Sequence, residues 1–423
     1  MTLYELAPPT NIVPPPGFAG STGAPALGAS FAVHGNHTDD GVPILAGAAH
    51  TGFASPSPWY LLELSAAASA ATSAAGPGAP LGAAGALHDA LHVSGATLPG
   101  AGAVVFSGLN GFGLSWAFAA GGGDVQDVYV ERLREDGKYL VNEKKKKNAT
   151  KQAPAAAAAG EEATRGEWRT LDVLTEEIRV RGRAKPEVWL VRSTRHGPLI
   201  SDLDPQTTVP ERTGAIAGAG ISLGLALRWA GSGRNVNGSR VDRSASVIES
   251  LARATGVADF LATVDDNAAQ YRGAHLAVTL ASTANTNASE TGGTIAYVEI
   301  GALPLRSSRH SGAVPAPGWK GESLEWRGFA PASEMPRTVN PSRGFVVAGA
   351  PAVQRRAAAL LQEDLTAGAV DESERFTTQR AGQLQRDSYS PRAARLCPSL
   401  VLTLRGEFIV CTLTFCANPA HQW

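Results

Sequence analysis

The chain has 423 residues, and its 37 basic and 38 acidic side chains leave a formal net charge of −1 at pH 7. This length can bury one large core or two ordinary ones, and the balanced charge argues against a nucleic-acid partner. The sequence contains no apolar stretch of about 18 residues that could cross a membrane and no visible signal peptide, so its compartment stays open. The three cysteines, Cys397, Cys411 and Cys416, fit no zinc, redox or disulfide pattern.

The N-terminal part of the chain predicts a β-hairpin that follows an irregular lead-in. Residues 1–27 are rich in proline, glycine and alanine and show no periodicity. Two short apolar runs at 30–35 and 42–46 are separated by a polar turn, which indicates two paired strands. His50 follows the second strand, and an alanine- and glycine-rich segment at 65–87 predicts an expanded loop.

The stretch Ala103–Leu133 carries the most informative pattern. Apolar runs separated by an Asn-Gly turn and by a glycine-rich loop predict strand, turn, strand, loop and strand, in that order. The loop holds three consecutive glycines, which let a backbone approach a ligand closely. Asp124 and Asp127 follow these glycines, and with the backbone carbonyl of Gln126 between them they can bind a hard cation. The sequence therefore predicts a cation site in this loop.

Strand and helix patterns alternate along the rest of the chain. Strands are predicted at 56–64, 168–180, 188–193, 221–229, 275–280, 294–300, 345–347 and 401–415. Helices are predicted at 246–262, 355–364 and 374–385. Strands outnumber helices and often follow one another directly, so the predicted class is α+β with largely antiparallel sheets.

Short motifs stand in a fixed order between residues 28 and 396. They are Ala32–Gly35, Gly41–Ala46, His50, Gly95–Gly100, Asn110–Leu133, Arg195–Pro198, Gly301–Arg306, Glu325–Gly328, Asn340-Pro341, Gly344–Val346, Leu384–Asp387 and Ala393–Leu396. Their order and spacing resemble the β-chain of the penicillin acylase family, which belongs to the N-terminal-nucleophile hydrolases. The resemblance implies a four-layer αββα sandwich, here incomplete at both ends. The domain implied runs over 28–396, with insertions at 65–87, 144–160 and 282–293, and is followed by a divergent tail at 397–423.

The same resemblance implies an amide hydrolase whose N-terminal serine attacks the substrate. The α-amino group of that serine acts as base, an acyl-enzyme forms, and an oxyanion hole stabilises the intermediate. Gly28 stands at the nucleophile position, so Ser30, two residues further along the predicted strand, is the candidate nucleophile, and Ser21 is the alternative. His50 matches the assisting residue, and the backbone N–H of Ala120 matches an oxyanion donor.

Two other family features are implied only in part. Ala350 stands where the family has an asparagine that donates to the oxyanion, and alanine lacks that donor. Asp124, the carbonyl of Gln126 and Asp127 match ligands of a structural calcium ion, and they supply a minority of the about 6–8 oxygens that calcium takes. Calcium is the cofactor implied, and no organic cofactor is expected.

The function implied is a penicillin acylase-like amidohydrolase that cleaves a linear amide with an apolar acyl group. Phe31, Phe53 and Phe118 are the candidate side chains for the acyl pocket. The expected partners are a small-molecule amide substrate and a separate α-chain, with no nucleic acid and no membrane. The alternative is a catalytically degenerate member that keeps the fold without turnover, because the nucleophile and the side-chain oxyanion donor are both missing from their expected positions.

Overall fold

The computed structural model describes most of the chain between residues 29 and 414. The described ranges are 29–49, 59–66, 91–101, 105–121, 123–143, 166–203, 220–232, 244–267, 275–284, 291–349, 351–370, 375–377, 379–381, 384, 399–405 and 408–414. These residues form two compact units. The smaller unit takes them from Asp124–Arg240 and Leu303–Ala330, and the larger unit from Val13–Gly123, Val241–Ala302 and Pro331–Trp423. Among the described helices, none has the length and apolar character needed to cross a membrane.

Among the described residues, the larger unit contains two antiparallel sheets, three helices whose bounds are given below, and further helical residues at 379–381 and 384. Strands β1 (Ser30–Val33), β2 (Ile44–Ala49), β18 (Phe345–Ala348), β19 (Ser399–Arg405) and β20 (Phe408–Thr414) form the first sheet, in the order β18-β1-β2-β19-β20. Strands β3 (Tyr60–Ala66), β4 (Leu91–Thr97), β5 (Ser107–Asn110), β6 (Leu114–Ala120), β14 (Leu276–Ser282), β15 (Thr294–Ile300) and β17 (Arg337–Val339) form the second, in the order β17-β15-β14-β6-β5-β4-β3. The helices are α1 (Ser244–Ser250), α2 (Val257–Asn267) and α3 (Pro351–Val370).

Each sheet of the larger unit contributes to two apolar cores, because successive side chains of a strand point to opposite faces. One face of the first sheet, which carries Phe31 and Phe345, packs against Leu361 of α3. Its other face packs against the second sheet through Ala32, Leu45, Val346, Leu109, Ala117, Ala281 and Ile295. The far face of the second sheet, which includes Trp116, packs against α1 and α2 through residues such as Phe260.

The smaller unit is built from two further sheets. Strands β7 (Gln126–Arg134), β8 (Lys138–Glu143), β9 (Gly166–Thr170) and β13 (Ile221–Trp229) lie in the order β13-β7-β8-β9, and β16 (Ala316–Pro317) runs parallel to β7. Strands β10 (Asp172–Ile178), β11 (Glu187–Thr194) and β12 (Gly197–Pro198) form the other sheet. The apolar core of the smaller unit includes the buried residues Tyr129, Leu133, Tyr139 and Leu199.

Most predicted elements are present, with two instructive differences. The predicted hairpin is confirmed, since β1 and β2 pair antiparallel. The single helix predicted at 246–262 is wrong, because the chain turns between α1 and α2, where the Asn110 side-chain amide donates to the carbonyls of Leu251 and Ala254. The strand predicted at 168–180 is two strands, β9 and β10, which pair in different sheets.

The predicted loops and tail have mixed outcomes. Most of the low-complexity segment at 65–87 and the segment at 144–160 lie outside the described residues. The β-rich tail predicted at 401–415 is confirmed as β19 and β20, and β19 pairs with β2 of the first sheet. The sequence reasoning missed β4 and β8, whose sequences LHVSGAT and KYLVNE mix polar and apolar residues without a long apolar run.

Candidate functional site

Ser30 lies in the interior of the larger unit. It is the first residue of β1, which pairs with β18 on one side and with β2 on the other. Its side chain is fully buried, and the Thr279 hydroxyl donates a hydrogen bond to Ser30 Oγ at 2.7 Å. A serine nucleophile needs open access for the scissile carbonyl, and full burial denies that access. The geometry therefore weighs against the nucleophile role predicted for Ser30.

Ala120 belongs to the second sheet and is separated from Ser30, which belongs to the first, by several positions along the strands. It ends β6 and stands opposite Leu276 of β14. Thr279, which binds Ser30, stands opposite Ala117 in that register, three positions before Ala120. Three steps along a strand amount to about 10 Å. The structure therefore does not bring the predicted nucleophile to the predicted oxyanion donor.

The two described aromatic residues of the predicted acyl pocket are core residues on different faces. Phe31 is 1% exposed and contacts Phe376 edge-on in the core beside α3. Phe118 is 6% exposed and contacts Phe106 edge-on in the core beside α1 and α2. The prediction that they line one pocket is corrected, because two sheets separate these cores.

Other predicted site residues lie outside the described part of the chain. They are His50, Phe53, Gly28, Ser21 and Ala350. Their roles stay predictions.

The glycine-rich loop after β6 closes around His275. The Gly121 N–H donates to the His275 carbonyl at 3.0 Å, and the Gly123 N–H donates to His275 Nδ1 at 2.8 Å. A Cβ on Gly121 would lie 2.4 Å from that ring nitrogen, so a larger residue would displace the ring. His275 Nε2 lies 3.0 Å from Glu299 Oε2, and Tyr297 donates to Glu299. Burial raises the pKa of Glu299, but the contacts with His275 and Tyr297 outweigh burial and hold that pKa below its usual value.

In the smaller unit, β7 turns a row of polar side chains toward the interior. Alternate residues of this strand are buried, so Asp127, Tyr129 and Glu131 share one face. The carboxylates of Asp127 and Glu131 are both 0% exposed. Buried carboxylates require charged or hydrogen-bonding partners. Those partners come from segments far along the chain.

The Arg306 guanidinium contacts each residue that was matched to a calcium ligand. Its Nε lies 3.1 and 3.0 Å from the two carboxylate oxygens of Asp127. Its Nη2 lies 3.1 Å from the Asp124 carbonyl, 3.3 Å from the Gln126 carbonyl and 3.1 Å from Asp124 Oδ2. Across the described ranges, no group of three or more His, Cys, Asp or Glu side chains could hold a metal ion. The donors in this arrangement do not fit calcium, because an arginine already binds them.

Two aromatic rings complete the surroundings of Asp127. The Trp326 indole N–H donates to its carboxylate, and His310 Nε2 lies 3.1 Å from its Oδ2. Burial raises the pKa of Asp124, and this effect exceeds the opposite effects of the Gln126 N–H and the Arg306 charge. The two carboxylates of the loop, Asp124 and Asp127, are thus both in contact with Arg306, and Asp127 is also in contact with His310.

Glu131 and Glu325 hold His196 between them. His196 Nδ1 lies 2.5 Å from Glu131 Oε1, and its Nε2 lies 2.7 Å from Glu325 Oε1. The Thr194 hydroxyl also donates to Glu131 at 2.8 Å, and the Tyr129 ring stacks on the imidazole with centroids 3.8 Å apart. The His196 and Glu131 side chains are 0% exposed, so neither is open to a substrate, whereas the Glu325 side chain is 23% exposed.

We expect the stability of the smaller unit to fall in acid through protonation of Glu325. Burial raises its pKa, but the hydrogen bond from His196 and the charges of His196, Arg195 and Arg228 outweigh burial and lower the pKa from 4.5 to about 2. A carboxyl whose pKa is lower in the folded state stabilises the fold at pH values above its unfolded pKa. That stabilisation is lost as the pH falls from about 4.5 to about 2. The slope due to one group is at most about 1.4 kcal/mol per pH unit, reduced by solvent screening.

Urea unfolding at several pH values between about pH 6 and pH 3 tests the role of Glu325. The wild type should lose more stability per pH unit than the Glu325→Gln variant, which has no carboxyl to protonate. Glu176→Gln, at an exposed position on β10, is the matched control and should keep the wild-type slope. Equal slopes for the wild type and Glu325→Gln would contradict the prediction.

The sequence did not predict that four charged or polar side chains gather along β7. They are Glu131, His196, Arg306 and Glu325. They lie in the motifs Asn110–Leu133, Arg195–Pro198, Gly301–Arg306 and Glu325–Gly328. A signal was present, because the acidic residues on the inward face of β7 require basic partners. The motifs that carried the resemblance are therefore the segments that supply those partners.

Comparison with known proteins is consistent with these motifs. The family model described as Penicillin amidase matches residues 28–418. Penicillin acylase 2 proenzyme from Pseudomonas sp. (strain SE83) is 29% identical over 224 residues, which is 53% of this chain and 21% of that protein. Acyl-homoserine lactone acylase QuiP from Pseudomonas fluorescens (strain Pf0-1) is 24% identical over 317 residues, which is 75% of this chain and 29% of that protein. The chain thus spans less than a third of the length of either relative.

A solved structure supports the same fold. The thermostable penicillin G acylase from Alcaligenes faecalis aligns with a TM-score of 0.55 and 20% sequence identity, covering 85% of this chain and 52% of that one. At this identity the likeness concerns the fold alone. Because the family model covers residues 28–418 of the 423 residues, this chain belongs to the penicillin amidase family.

Proposed function

We propose that this protein is an amidohydrolase of the penicillin amidase type, which cleaves a linear amide with an apolar acyl group through an acyl-enzyme. The family match over residues 28–418 carries this proposal. The relatives are named as acylases of penicillins and of acyl-homoserine lactones, so removal of an acyl group is what their names share. The chain spans only part of the length of those relatives, so the activity itself is a proposal for this protein.

We also propose that the larger unit is a four-layer αββα sandwich, with helices on the outer faces of two stacked sheets. Helix α3 packs on the first sheet, the two sheets pack face to face, and α1 with α2 packs on the second sheet. Helices on both outer faces of two stacked sheets support the architecture that the resemblance implies.

A catalytically degenerate family member is the second candidate. The burial of Ser30 and its hydrogen bond with Thr279 favour it, because they withhold the candidate hydroxyl from substrate. Gly28 and Ala350 add to this view, since neither side chain can serve as nucleophile or oxyanion donor. Such a protein keeps the fold without turnover.

A separate α-chain is the partner included in the proposal. The hairpin of β10 and β11 supports it, because this hairpin exposes several large apolar side chains. They are Val173, Leu174, Ile178, Val188, Trp189 and Leu190. The strand register puts Val173, Val188 and Leu190 on one face of the hairpin and Leu174, Ile178 and Trp189 on the other. Grouped exposed apolar side chains are typical of surfaces that bind another polypeptide.

Intact-mass analysis combined with a hydrolysis assay separates the two candidates. An active hydrolase should yield a chain cut directly before a serine, Ser30 or Ser21, and should release amine from a chromogenic anilide with an apolar acyl group. A full-length, uncut chain that releases no amine would overturn the hydrolase proposal and support the degenerate member.

Serine variants then identify the nucleophile. Ser30→Ala should abolish both cutting and hydrolysis if Ser30 acts, and should leave both intact if Ser21 acts. Ser222→Ala, at an exposed position on β13, is the matched control for the loss of a hydroxyl.

A further inference from the structure

We propose that the Arg306 guanidinium is the resident cation of the loop from Asp124 to Asp127 and takes the place of calcium there. The loop offers two carboxylates and a backbone carbonyl, which is a donor set suited to one hard cation. Arg306 reaches all of these groups from within the same unit. This inference concerns how the fold is held and is independent of whether the protein hydrolyses amides.

Arginine and calcium cannot occupy this loop together. Calcium binds oxygen at about 2.3–2.6 Å and takes about 6–8 oxygen ligands. The nitrogens of Arg306 already lie 3.0 Å from Asp127 Oδ2, 3.1 Å from the Asp124 carbonyl and 3.3 Å from the Gln126 carbonyl. An ion placed among these oxygens would overlap the guanidinium and face its positive charge.

The burial of Asp127 explains why the loop needs a cation. Its side chain is 0% exposed, and a buried carboxylate without a partner is strongly disfavoured. The Arg306 side chain is only 14% exposed, and its planar fork can bind the carboxylate and the backbone carbonyls at once. Trp326 donates a further hydrogen bond to Asp127.

The backbone around Arg306 holds its side chain in place. The Leu305 N–H donates to the Gly328 carbonyl at 2.9 Å, and the Arg327 N–H donates to the Leu305 carbonyl at 2.8 Å, which fixes the two segments side by side. Gly312 has a φ of +81° and passes so close that a Cβ there would lie 2.8 Å from Arg306 Nε. The chain therefore encloses the guanidinium.

Thermal unfolding of the full chain in EDTA and in excess CaCl₂ tests this inference directly. The wild-type melting temperature should be the same in both solutions. Terbium, which replaces calcium at oxygen sites, should show no luminescence sensitised by tryptophan. A wild-type melting temperature that calcium raises, or saturable terbium luminescence lost in Trp326→Phe, would overturn the proposal.

The Arg306→Ala variant should acquire a metal response, because it frees the oxygens for an ion. Calcium should then raise its melting temperature by about 4 °C or more, and terbium bound near Trp326 should luminesce. Arg327→Ala, at an exposed neighbouring position, is the matched control and should behave as the wild type. If Arg306→Ala does not fold, Arg306→Lys keeps the charge without the fork, and it should melt lower than the wild type with no effect of calcium. A folded Arg306→Ala without any metal response would overturn the proposal, as would a metal response of Arg306→Lys.

Discussion

Replacement of His196 by alanine is expected to destabilise the smaller unit by about 3–5 kcal/mol. The imidazole is fully buried between Glu131 and Glu325, and its removal leaves the Glu131 carboxylate without the partner that now lies at 2.5 Å. It also removes the ring on which Tyr129 stacks. Hydrogen exchange of peptides from β7 and β8 measures this loss locally, which is necessary because two units need not unfold together.

A surface ion pair of the same unit provides the matched control for His196. Arg192→Ala breaks the pair between Arg192 and Asp202, and exposed pairs contribute less than about 1 kcal/mol. Combining Glu131→Gln with His196→Ala removes the stranded charge together with its partner, so part of the lost stability should return. The prediction is wrong if His196→Ala leaves as much exchange protection as Arg192→Ala.

Replacement of Asn110 by alanine is expected to destabilise the larger unit by about 2–4 kcal/mol. The amide is 1% exposed, and its Nδ2 donates to the carbonyls of Leu251 and Ala254 at 2.7 and 2.8 Å. Its Oδ1 accepts from the N–H groups of Phe112 and Leu114. Alanine removes the hydrogen bonds that this amide makes to the buried carbonyls of Leu251 and Ala254 and to the buried Leu114 N–H, so β5 and the turn after α1 should lose protection together in hydrogen exchange.

Two further variants show whether the Asn110 hydrogen bonds cause that loss. Asn110→Asp keeps the acceptor but replaces the donors with a negative charge facing two carbonyls, so it should be at least as destabilising as alanine. Asn142→Ala, at an exposed position on β8, is the matched control and should change stability by less than about 0.5 kcal/mol. A stable Asn110→Asp variant would contradict the assigned role of the amide donors.

Local patterns in the sequence predicted much of the larger unit. The apolar runs around the polar turn at 36–41 predicted the hairpin of β1 and β2, and the Asn-Gly turn predicted the pairing of β5 with β6. These features depend on residues close in sequence, where turn chemistry and alternation are informative. The turn between α1 and α2 also binds the amide of Asn110, which lies 141 positions before Leu251, and helical spacing alone could not reveal this contact.

The predicted acyl pocket failed for a reason that the sequence already contained. Ser30 and Phe31 are adjacent residues of one strand, and adjacent side chains of a strand point to opposite faces. A site that uses Ser30 therefore cannot also use Phe31 while β1 stays regular. Ser30 is fully buried and accepts a hydrogen bond from Thr279, 249 positions away, and only the folded structure could show these two facts.

The cation loop shows that one donor set can serve two kinds of cation. Asp124, Gln126 and Asp127 do converge on one positive group, as their spacing indicates. That group is Arg306, and nothing in the local pattern around residue 124 could identify a partner 179 positions after Asp127. Long-range charge pairing of this kind is outside the reach of single-sequence patterns.

The buried polar row on β7 also bears on the order in which the smaller unit folds. A one-residue slip in the pairing of β7 would turn Asp127 and Glu131 to the outer face and bring Arg132 inside. Neither carboxylate is neutralised until Arg306 and His196, which follow Asp127 by 179 positions and Glu131 by 65 positions, have reached the strand. Closing such long loops loses chain entropy before the contacts form, so it is slow. Neutralisation of these two carboxylates is therefore a late event, and a nascent chain that still lacks residue 306 cannot complete it.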